Sequence, residues 1–134
     1  MDFLIASSEV ANSGLSVQAA RMHVISENIA NARTTSSVAG SDPYRRKVIS
    51  FEEVMRGNGG VRVKKVGVDK SPFIEEFDAG HPAANASGMV KYPNINVMVE
   101  TADMRETNRL YMANLQSIKQ SRDMINTTLD LLRD

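Results

Sequence analysis

Cysteine and tryptophan are absent from this sequence, and aromatic residues make up only 5% of it. Without a thiol there is no disulfide scaffold, no Cys-ligated zinc, no iron–sulfur cluster and no thiol nucleophile. Net charge is missing as well. Sixteen Lys and Arg balance sixteen Asp and Glu, so no global field draws the chain to nucleic acid or an anionic membrane, and a partner must be recognised through local surface. No run approaches the roughly 20 apolar residues of a membrane span. Met1-Asp2-Phe3-Leu4 places an acid where a secretory signal carries its basic segment, so neither direct membrane insertion nor a Sec signal is expected. What remains, 42% hydrophobic residues in a chain of 134, is mostly small aliphatics and eight Met. That supports one domain with a modest core and suits helix-on-helix packing.

Residues 2–31 read as one long helix, because Leu4, Ala11, Leu15, Met22, Ile25 and Ile29 recur with heptad spacing and Ser8 and Gln18 fall on the same seam. Val10, Val17 and Val24 widen the stripe beyond a two-stranded seam. Gly14 costs such a helix about 1 kcal/mol relative to Ala; it is either a tolerated flaw or a point of close helix approach. The helix is expected to stop near Asn31. The final third is helical again, with heptad positions at Val97, Thr101, Met104, Asn108, Tyr111, Leu115, Ile118, Arg122, Ile125, Leu129 and Leu132. Between the helices the period is lost. Residues 47–51, 61–68 and 72–77 are expected as three short strands of one small sheet, the second preceded by the turn signal Gly57-Asn58-Gly59-Gly60, and residues 78–88 as a loop almost without core candidates. The expected class is α+β, mainly α: a discontinuous terminal-helix domain, 1–32 and 92–134, around a small β-containing insert, 33–91.

Catalytic chemistry finds little support. His23 has Glu27 one helical turn away, a spacing for a local pair, and His81 stands beside Pro82 in a Gly/Ala-rich loop with Asp78 near it; neither brings a nucleophile or a metal-ligand set. Phosphate-cradling, zinc-protease and nucleophile-elbow patterns are absent. Glu52-Glu53 and Glu75-Glu76 are adjacent acids on strands, where alternation points the two side chains of each pair apart. No enzyme activity, catalytic residue, metal or cofactor is expected, and no nucleic-acid motif is visible. The zero net charge is nonetheless uneven: residues 33–70 carry nine basic and four acidic groups, residues 71–134 six and nine. This is either a solvated strand face or complementary contact between copies.

Ser13-Gly14-Leu15, Gln18, Arg21-Met22 and Ser26-Glu27-Asn28-Ile29-Ala30-Asn31-Ala32 followed by Thr34 resemble the N-terminal signature of bacterial flagellar rod and hook axial proteins. Pro43-Tyr44-Arg45-Arg46-Lys47-Val48, Phe51 and the segment Gly88 to Val97 are similar to the proximal-rod members, and Arg109-Leu110-Tyr111-Met112-Ala113-Asn114 to the family's C-terminal helix. The motif residues are thus Asn28, Ala30, Asn31, Pro43, Tyr44, Arg45, Pro93, Asn94, Ala113 and Asn114. Asn96, where relatives carry Asp, and the Ser/Thr-rich stretch 33–41 depart from the pattern.

The resemblance implies terminal helices paired as an antiparallel coiled coil, with Leu15, Met22, Ile25 and Ile29 packing against Tyr111, Leu115, Ile118, Ile125 and Leu129. It further implies copies polymerised into a helical drive shaft that transmits torque and surrounds an export channel. The implied partners are copies of the chain, the rod proteins FlgB, FlgF and FlgG, the rod adaptor FliE, the surrounding basal-body rings and the flagellar type III export apparatus. The implied location is the periplasm-spanning rod of the basal body. The alternative is a soluble helical adaptor or export-chaperone-like binding module whose exposed stripe caps a partner's helix.

Overall fold

A computed structural model describes residues 1–133; residue 134, assigned from sequence to the terminal-helix domain, lies outside the described residues. Two long helices, α1 (Asp2–Ala30, 29 residues) and α2 (Val97–Leu131, 35 residues), pack against each other, and four short strands lie between them in sequence: β1 (Lys47–Glu53), β2 (Val61–Val68), β3 (Ile74–Phe77) and β4 (Met89–Tyr92). The helices end where side chains satisfy their loose backbone groups. Asn96 caps α2, its Oδ1 accepting from the amides of Met98 and Val99 at 3.0 and 3.3 Å; Asn and Asp serve equally at this position, so the departure from Asp keeps the cap. Asn31 closes α1 by donating from Nδ2 to the Glu27 carbonyl at 2.8 Å. No described residue other than glycine has positive φ, so hydrogen bonding and not a left-handed backbone makes this stop.

The strands form two two-stranded sheets, β1 with β2 and β3 with β4, and not the single three-stranded sheet that the alternation suggested. β4 is four residues long, too short for a period to show. In the second sheet Ile74 lies opposite Tyr92 and Phe77 opposite Met89. The loop before β4 is not empty of core residues either: Ala83 is buried against Val90 and Tyr92. Gly88 makes the turn into β4 at φ +76, and a Cβ there would lie 2.7 Å from the Phe77 ring, so only glycine fits.

Contacts divide the chain into two compact units, one of residues 1–22, 49–65 and 105 onward, the other of 23–48 and 66–104. In the first, α1 and α2 run antiparallel: Gly14 faces Asn114, and the charge of Arg21 reaches Glu106. The buried positions are Ala11 and Val17 on α1 and Thr107, Ile118 and Ser121 on α2. A Cβ on Gly14 would sit 2.8 Å from the Asn114 amide, so this glycine marks a close approach. The β1–β2 turn is pinned onto α1, with Asn58 donating to Glu9 at 2.5 Å and the Val61 amide to Ser13 Oγ at 3.0 Å. In the second unit Val24, Ile25, Asn28 and Ala32 are buried from one side of the sequence and Ala83, Val90, Tyr92, Pro93, Ile95 and Glu100 from the other.

Half of the helix seam is small or polar. On α2 the buried row reads Glu100 in the second unit and Thr107 and Ser121 in the first, with half-buried Asn114 between them. It lies one position before the apolar and mixed row expected at Thr101, Asn108, Leu115 and Arg122. The other row faces inward from Met104 through Tyr111 and Ile118 to Ile125, while Val97 and Leu132 at its ends are 45% and 75% exposed. Periodicity weighted by hydrophobicity finds apolar rows and passes over polar ones.

Candidate functional site

The second unit holds a buried polar cluster built from five separate pieces of the chain. Asn28 comes from the last turn of α1, Tyr44 to Lys47 from the entry to β1, Asp69 and Asn94 from connecting loops, and Glu100 from the first turn of α2. Asn28 is 1% exposed and its amide is saturated. Nδ2 donates to the Lys47 carbonyl at 2.9 Å and to Glu100 Oε2 at 3.2 Å, while Oδ1 accepts from the Lys47 amide at 2.9 Å and the Tyr44 hydroxyl at 3.1 Å. The side chain thus binds both backbone groups of one residue, as a neighbouring strand would, and serves the first residue of β1 from the end of a helix.

Glu100, 1% exposed, takes the opposite side. Its Oε1 accepts from Arg46 Nε at 2.5 Å, and Arg46 also lies 3.5 Å from Asp69 Oδ2. Burial works against the Arg46 charge, but the Glu100 hydrogen bond and the fields of Glu100, Asp69 and Asp103 outweigh it and hold its pKa above the ordinary value. A buried carboxylate is tolerated because it is paired and hydrogen-bonded. Asn94 extends the cluster, accepting from the Arg46 amide at 2.9 Å and donating to the carbonyls of Asp69 and Ser71 at 3.1 and 3.2 Å. Arg45 donates to the same two carbonyls and stacks 4.1 Å over the Phe73 ring.

At the rim, Lys47 Nζ is 2.8 Å from Glu27, which lowers the Glu27 pKa and raises that of Lys47. Desolvation raises Tyr44, and hydrogen bonds from Ser71 lower Asp69. Arg33 grips Glu76 with two bonds of 3.0 and 3.3 Å and stacks 4.0 Å over Tyr92; the Glu76 bond keeps its pKa raised. The assembly holds charge and shape through paired ions and saturated amides. Its chemistry is that of a clasp.

The motif residues expected from sequence divide accordingly. Asn28, Tyr44, Arg45 and Asn94 enter the clasp, Pro43 and buried Pro93 flank it, Asn31 ends α1, Asn114 lies against Gly14, and Ala30 and Ala113 are exposed. Among the residues expected to pack helix against helix, Ile25 and Ile118 are buried, while Leu15, Met22, Ile29, Tyr111 and Ile125 are half-buried. Leu115 and Leu129 are 44% and 45% exposed and are not enclosed by this chain. Glu100 and Asp69 were missed. An acid in a first helical turn reads as a partner for the helix dipole, and nothing in one sequence places it opposite Arg46.

The histidines take local roles. His23 Nε2 is 3.3 Å from Glu27, and His81 Nδ1 accepts from the Ala83 amide at 3.0 Å. Among the described residues no group of three His, Cys, Asp or Glu is placed to hold a metal ion, and no helix is long and apolar enough to cross a membrane.

Two family descriptions match the chain: "Flagella basal body rod protein" over residues 9–36 and "Flagellar basal body rod FlgEFG protein C-terminal" over 86–131. The sequence is 54% identical to the flagellar basal-body rod protein FlgC of Agrobacterium fabrum, over 99% of this chain and 98% of that one. It is 36% identical to FlgC of Borreliella burgdorferi over 97% and 98%, and 33% identical to FlgC of Bacillus subtilis over 93% and 95%.

Proposed function

The chain belongs to the family of the flagellar basal-body rod protein FlgC, and from that premise we propose how it works as a structural subunit of the rod. Polymerisation is non-covalent and the subunit contributes no catalytic step. One observation carries the mechanism: apolar side chains stay exposed along both helices. Phe3, Val10, Met112, Leu115, Met124 and Leu129 are 39% to 81% exposed, and a surface of that kind marks contact with other protein. Neighbouring rod subunits cover it, as copies of this chain or the related rod proteins FlgB, FlgF and FlgG, with FliE at the base and the surrounding rings outside. The helices then line an export channel and transmit torque, while the clasp fixes where each helix enters the β-containing region. The subunit reaches the basal body through the flagellar type III export apparatus.

A mass-spectrometric inventory of isolated basal bodies tests this. The chain is expected there in several copies per particle. Recovery only from the cytoplasm, in a small complex of fixed stoichiometry, would establish the adaptor alternative instead.

A further inference from the structure

Each sheet has only two strands and an open outer edge. β2 pairs with β1 alone and β3 with β4 alone, although two-stranded ribbons are marginal by themselves. β2 reads Val61-Arg62-Val63-Lys64-Lys65-Val66-Gly67-Val68, and Val63, Val66 and Val68 are 36%, 50% and 51% exposed. β3 reads Ile74-Glu75-Glu76-Phe77; all four residues are exposed, Ile74 at 45% and Phe77 at 72%. One edge is apolar and basic, the other apolar and acidic. Lysine on an edge normally repels a second strand, and it does so here for a second β2. An acidic β3 is the strand that this edge accepts, just as two β3 edges reject each other.

We propose that the β2 edge of one copy pairs with the β3 edge of a second copy, joining two ribbons into one four-stranded sheet across the subunit boundary. The contact rests on the rod-subunit reading above and specifies a surface that it leaves open. Because the two edges differ, the contact is heterologous and continues from copy to copy without closing a dimer. Lys64, Lys65 and Glu75 supply the charge match; Arg62 and Glu76 already pair with Glu52 and Arg33.

The cysteine-free sequence makes the test clean. Val66→Cys and Ile74→Cys are made in the full-length chain, singly and together, and oxidised in isolated basal bodies. Cross-linked pairs are expected when the two single variants are co-expressed, and longer ladders from the double variant. Lys64→Glu with Lys65→Glu should lower cross-linking about tenfold, roughly the sum of several opposed like charges, and adding Glu75→Lys should restore part of it. Equal cross-linking of Val66→Cys with itself, or none while both variants are present in basal bodies, would overturn the edge pairing and leave the rod assignment standing. Absence of the unmutated chain from basal bodies would overturn the rod assignment and the pairing with it.

Discussion

The two compact units differ in what they bury. In the second, Asn28, Arg46, Asn94 and Glu100 satisfy one another and the surrounding backbone through named hydrogen bonds. In the first, small and polar residues hold the helices close, and the bulky apolar residues Phe3, Met112, Leu115 and Leu129 face outward. The polar core of the second unit is completed by its own chain, although Phe77 and Met98 there are 72% and 83% exposed; in the first unit exposed apolar residues lie along the two helices. The same sequence therefore carries a polar joint that satisfies itself and, in both units, apolar surface that the chain does not cover.

Substitutions can break this contrast, beginning with the most severe. Ile118→Asp places an unpaired charge at a position 5% exposed and should cost about 4 kcal/mol or more, abolishing assembly. Motility with this variant as the sole copy would refute the packing described. Glu100→Ala leaves the Arg46 guanidinium with Asp69 at 3.5 Å as its remaining ion pair and one Asn28 donor unmatched, and should cost about 3–5 kcal/mol in urea unfolding. A loss below about 1 kcal/mol would show that the clasp is not a stabilising centre.

Gly88→Ala meets the Phe77 ring and a positive φ together, for a loss of about 1–3 kcal/mol; an unchanged denaturation midpoint would contradict that turn. Acid should act on the clasp in a definite direction. The Glu27 and Asp69 pKa values are lowered in the folded chain, so their stabilisation is complete above the ordinary carboxylate range and is lost as pH falls through the lowered values. Glu27→Gln with Asp69→Asn should flatten the dependence of the urea midpoint on pH through that range. Leu129→Ser should change the stability of the isolated chain by no more than about 0.5 kcal/mol, yet reduce its incorporation into basal bodies. Equal loss in both measurements would place Leu129 in the fold and not at an interface.

Local order and one helix seam could be read from the residues in line. The long helices show because 29 and 35 residues give a 3.6-residue period many repeats, and Gly57 to Gly60 announce a turn that no other residue type makes as easily. Ile25 and Ile118 fall on rows that hydrophobicity alone reveals. The row through Thr107, Asn114 and Ser121 does not, because a polar residue looks the same in sequence whether it faces water or a partner helix. Gly14 could be read two ways until Asn114 was found against it.

What the sequence determined by itself was the class of fold, the end of α1 near Asn31 and the family, since each depends on near neighbours or on motif identity. Tertiary structure alone decided the pairing of four strands into two ribbons and the meeting of Asn28 with Glu100 across 72 residues. Such partners are chosen by three-dimensional proximity and by the cost of leaving a buried polar group unmatched, and neither quantity is written in the spacing of residues along one chain.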